Sequence, residues 1–83
     1  MRPLPPERVE LPLGYVVELW LAEDEQGATL RWALMHAWQA PGEYGEDEVA
    51  GGYIVLPGPG AYRHARRVAV EMARAAMREL MAQ

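Results

Sequence analysis

Eighty-three residues make a single domain, and with 51% of them apolar the chain can build one core without staples. It holds no cysteine, which excludes disulfides and thiolate metal sites, and no Ser or Lys, which confines nucleophilic chemistry to Thr29, the tyrosines and the carboxylates. The net charge of −4 argues against a generally basic binding surface, but the charge is unevenly placed. Residues 1–60 carry three arginines against ten acids, and residues 61–83 carry five arginines against two. All eight basic residues are Arg, and Asn is missing as well. That usage suits a protein from a thermophile, where labile side chains are avoided. No secretory leader pattern and no apolar run near membrane-span length is visible, so a cytoplasmic setting is expected.

Residues 1–13 contain Pro3, Pro5, Pro6 and Pro12. Proline blocks helix interiors and central strands, so this stretch is predicted to be an extended arm in front of one α+β domain at 14–83. Tyr15 to Ala22 reads as a strand, β-branched and aromatic without a breaker. Tyr15, Val17, Leu19 and Leu21 alternate onto one face, and Val16, Glu18, Trp20 and Ala22 onto the other. Asp24-Glu25-Gln26-Gly27 makes a polar hairpin loop.

Ala28 to Gln39 carries two periodicities. As a strand it aligns Leu30, Trp32, Leu34, His36 and Trp38. As a helix it aligns Leu30, Ala33, Leu34, Ala37 and Trp38, with Thr29 as a possible N-cap. The short loop before it favours the strand. Pairing Glu23 with Ala28 sets Leu21 opposite Leu30 and Leu19 opposite Trp32, which makes one face almost wholly apolar. Residues 41–48 read as an acidic loop, and Tyr53-Ile54-Val55-Leu56 as a third short strand. The Pro57-Gly58-Pro59-Gly60 run ends it. A helix from Ala61 to about Ala82 follows, free of internal Gly or Pro. The predicted architecture is a three-stranded antiparallel meander with one long C-terminal helix on one sheet face, β-β-β-α.

The helix is predicted to have three faces. Ala61, Ala65, Val68, Ala69, Met72, Ala76 and Leu80 form the core face. Arg63, Arg67, Arg74 and Arg78 form a stripe opposite. Val70, Met77 and Met81 form a spare apolar ridge beside it. The uncovered sheet face, with Trp20 and Met35, is a second spare apolar surface. Two such surfaces point to a homo-oligomer, with a dimer as the simplest form.

Chemistry is sparse. His36 and His64 have no partner visible in the sequence, and their separation gives no local metal pair. No cofactor or metal is expected. Arg63, His64, Arg66 and Arg67 crowd the first turns of the helix, with Arg74 and Arg78 further along. Cations at a helix N-terminus oppose the macrodipole. They call for an anion, whether nucleic-acid phosphate or the acidic residues Glu43, Glu46, Asp47 and Glu48. The leading expectation is a non-enzymatic interaction domain that self-associates through the outer sheet face or the helix. A nucleic-acid or phosphate-binding module is the alternative, and a small dimeric enzyme with a His-containing cleft is a third.

Overall fold

The structure, a computed structural model, describes residues 6–25 and 27–83. Four antiparallel strands form one sheet in sequence order: β1 (Glu7–Glu10), β2 (Tyr15–Asp24), β3 (Gly27–Ala40) and β4 (Glu43–Leu56). One helix, α1 (Tyr62–Met81), closes the chain. The class is α+β with an antiparallel sheet and a C-terminal helix, as the sequence pattern predicts, but with four strands where the pattern predicts three. Of the expected proline-rich arm, residues 1–5 lie outside the described residues. Glu7 to Glu10 is the proline-free stretch between Pro6 and Pro12, and it pairs with β2 as an edge strand. An edge needs donors on one side only, so flanking prolines do not prevent it. A tight turn at Pro12–Gly14, with Leu13 and Gly14 at positive φ, carries the chain into β2.

The central hairpin has the anticipated register. Glu23 faces Ala28, Leu21 faces Leu30 and Leu19 faces Trp32. The segment that could have been a helix is a fourteen-residue strand. Tertiary pairing on both sides overrides the helix preference of its Ala, Leu and Met. The acidic loop expected at 41–48 is instead mostly strand. β4 begins at Glu43 and stays paired with β3 to Leu56, interrupted by a bulge where Leu34 faces Ala50 and Met35 faces Glu48. Val49 is the extra residue.

Two Trp–Gly pairs fasten β3 to β4. Trp32 lies opposite Gly52, and Trp38 opposite Gly45. A Cβ at Gly52 would stand 2.9 Å from the Trp32 Nε1, and one at Gly45 would stand 2.6 Å from the Trp38 Cζ2. Each indole lies over the bare backbone of its partner, and only glycine leaves that room.

The core lies between the sheet and α1. Val17, Leu30 and Leu34 are fully enclosed, joined by Leu19, Trp32 and Leu56 from the sheet. Ala65, Ala69, Val70, Ala73 and Met77 supply the helix side. The alanines let α1 sit close over the bulky Trp32. This helix face is rotated from the predicted one. Val70 and Met77, expected on a spare ridge, are each 8% exposed in the core, whereas Met72, expected in the core, is 45% exposed. The reason is β1. Its Val9 packs against the core and lines the same cleft as Val70, so the added strand covers the flank that the three-stranded arrangement leaves open. No helix among the described residues is long and apolar enough to cross a membrane.

Candidate functional site

Two surfaces carry the residues that the sequence singles out. The first is the outer flank of α1. Arg63, His64, Arg67 and Arg78 are exposed there, and Arg66 and Arg74 are half-buried. Arg63, Arg66, Arg67 and Arg74 line a shallow cleft with Val9, Val70 and Glu71, between the helix and β1. Arg66 leans to the strand and grips Glu7 with both ends of its guanidinium: its Nε donates to Oε1 at 2.9 Å and its Nη2 to Oε2 at 2.6 Å. The Tyr62 hydroxyl donates to the same carboxylate at 3.5 Å. The Arg66 hydrogen bonds hold the Glu7 carboxyl below its ordinary pKa, against a small opposing effect of burial, and push the guanidinium pKa further up. Arg74 approaches Glu71 only at 3.8 Å, and its Nε is buried without a hydrogen-bond partner.

The acidic residues thought able to neutralise this helix lie elsewhere. Residues two apart on a strand share a face, so Glu46 and Glu48 stand with Arg8, Glu18 and Arg31 on the sheet face away from α1. Arg8 binds Glu46 at 2.7 Å and Glu18 at 3.0 Å, and Arg31 reaches Glu48 at 3.3 Å. Arg63, Arg67 and Arg78 have no carboxylate within ion-pair distance among the described residues.

The second surface is that outer sheet face and the free side of β4. Trp20 and Met35 lie on it, half-buried. The Arg31 guanidinium stands 5.1 Å from the Trp20 ring centroid, so this tryptophan is partly roofed by a cation. Among the described residues β4 pairs with β3 on one side and with no strand on the other. Its Tyr53 is 72% exposed and its Val55 69%. Tyr44 and Trp38 are also exposed, beside a shallow groove bounded by Arg8 and Glu46. The sequence pattern alternates Tyr53 and Val55 onto one face, but strand order is what makes them edge residues. The predicted meander already places this strand last, at an edge; what composition hides is β1, at the opposite one.

Neither histidine makes an ion pair among the described residues. His36 stacks on Tyr15 with ring centroids 4.1 Å apart and planes 11° apart. His64 is exposed and makes no ion pair among the described residues. Among the described residues no three His, Asp or Glu side chains gather as they would around a metal ion. Of the contact residues expected on the helix, Met81 alone is exposed, since Val70 and Met77 belong to the core.

No protein-family model matches the chain, no curated protein matches it in sequence, and no solved structure matches it in fold.

Proposed function

We propose that this chain is a small self-associating interaction domain, and that the contact is the free edge of β4 against β4 of a second copy. The carrying observation is the open edge itself. Gly52 to Leu56 is apolar, β-prone and unpaired on one side, with Tyr53 and Val55 exposed. Open edges are templates for strand addition, because their unpaired N–H and C=O groups already point outward.

A second copy fits this edge better than another partner because the segment is complementary to itself. An antiparallel two-fold centred on Ile54 sets Tyr53 opposite Val55 and Gly52 opposite Leu56. Aromatic against β-branched is a favourable cross-strand pair. The acids Glu43, Glu46, Asp47 and Glu48 all precede this register, so no like charges meet across it. Two four-stranded sheets then join as one continuous sheet, with both helices on the same side. Homodimers of this closed kind are the commonest assemblies. The composition also supports the cytoplasm of a thermophile as the setting, since it avoids Asn and Cys.

Light scattering across a size-exclusion peak at micromolar concentration tests this reading. A dimer is expected, and it should tighten with added salt, because each copy carries −4. Val55→Lys puts a charge at the centre of the contact and should give monomer. A wild-type chain that stays monomeric, or a Val55→Lys dimer, overturns the proposal.

A further inference from the structure

We infer that the outer stripe of α1 is a binding site for the phosphate backbone of a nucleic-acid duplex. Arg63, Arg67, Arg74 and Arg78 follow one another at spacings of four, seven and four residues, so they share one side of the helix. At 1.5 Å per residue the stripe is about 22 Å long.

The stripe lacks an internal counter-ion. Arg63, Arg67 and Arg78 meet no carboxylate among the described residues, and Arg74 has only a distant Glu71. Of the acids of β4, Glu46 and Glu48 are on the far sheet face, taken by Arg8 and Arg31, and Glu43 and Asp47, on the helix side by register, make no ion pair with the stripe among the described residues. Arg63 also lies in the first turn of α1, where the dipole disfavours a cation. Helix stability therefore does not account for it, and an external anion does.

The shape of the site selects the kind of anion. A compact phosphate needs donors converging on one point. Here Arg66 is held by Glu7, and the other arginines succeed one another along about 22 Å of helix, with Arg63, Arg67 and Arg74 along the cleft beside β1 and Arg78 beyond it. A linear polyanion matches that layout. No aromatic side chain lies on the stripe, and the exposed Tyr44 and Tyr53 belong to the sheet. Single-strand binders stack bases on aromatic rings, so the arrangement favours a duplex read through its backbone.

The test is the anisotropy of labelled DNA and RNA duplexes of about 20 base pairs, two helical turns. With three phosphate contacts, log affinity should fall against log salt with a slope of about −3, or roughly 50-fold between about 50 and 200 mM. Binding of either duplex in this manner supports the site, and the better of the two names the source of the phosphates. Replacing Arg63, Arg67 and Arg78 together by Ala should remove about three units of slope and at least about tenfold of affinity. The same three changed to Lys should keep most of both, because lysine preserves the charge. Arg31→Ala, on the far face, should change little. Circular dichroism confirms that each variant is folded. The inference is overturned by no binding of either duplex at low salt, or by Arg31→Ala weakening binding as much as Arg67→Ala. Tighter binding of polyglutamate than of duplex overturns it as well, since that assigns the stripe to an acidic protein.

Discussion

The two edges of the sheet are built in opposite ways. β1 is four residues long, reads Glu-Arg-Val-Glu, and is tied down on both faces. On the helix side Arg66 holds Glu7, and on the outer side Arg8 bridges to Glu18 and Glu46. Short length and charge are the usual means of blunting an edge. β4 is fourteen residues long, and its acids stop at Glu48. Its apolar second half is fastened from the inside, by Trp32 over Gly52, and no strand among the described residues lies beside it. One edge is closed by side-chain ion pairs, and the other is closed only if a second chain adds to it. The protected edge needs no second chain, and the open edge is the one on which the proposed contact rests.

This contrast can be broken from the inside of β4 first. Gly52→Ala places a methyl group 2.9 Å from an indole that is 4% exposed, so the ring or the strand must shift. A loss of about 1–3 kcal/mol is expected in urea unfolding. Gly45→Ala is sterically tighter, but its Trp38 is 40% exposed and can swing outward. Its cost should stay below about 1 kcal/mol. Equal losses at the two positions would mean that the Trp32 pair is not what fastens β4.

Smaller effects are expected at β1. The Glu7–Arg66 pair is bidentate but well exposed, so Glu7→Gln should cost about 0.5–1 kcal/mol at neutral pH. Because the folded-state pKa of Glu7 is lowered, its contribution is complete above the ordinary value of 4.5 and is lost as the pH falls through the folded value. The gap between wild type and Glu7→Gln in urea melts should therefore close in acid. No gap at neutral pH would show that β1 is held by Val9 packing rather than by the ion pair.

The class, the central hairpin register and the last helix were legible because each rests on a local rule. Alternation gave the β2 and β3 faces, and unbroken Ala, Met, Leu, Arg and Glu gave α1. β1 was not legible, since four residues between prolines carry no periodicity. Its absence then misplaced what depends on it. Without Val9 beside it, Val70 looks like spare surface. The acidic start of β4 looked like a loop for a similar reason. Glu, Asp and Gly disfavour strands intrinsically, and only pairing with the long β3 holds them extended. The arginine stripe was visible from spacing alone. Which acids it meets was not, because that depends on which sheet face Glu46 and Glu48 occupy.

The most direct test of the open edge uses the absence of native cysteine. Tyr53→Cys and Val55→Cys each place one thiol at an exposed site, and the proposed register sets these two positions opposite each other, near enough for a disulfide. Mixed and oxidised in air, the two variants should form a cross-linked heterodimer, while each alone stays largely uncross-linked. No cross-link in the mixture, or self-linking of either variant as readily as the mixed pair, would contradict the pairing of β4 with its own copy about Ile54.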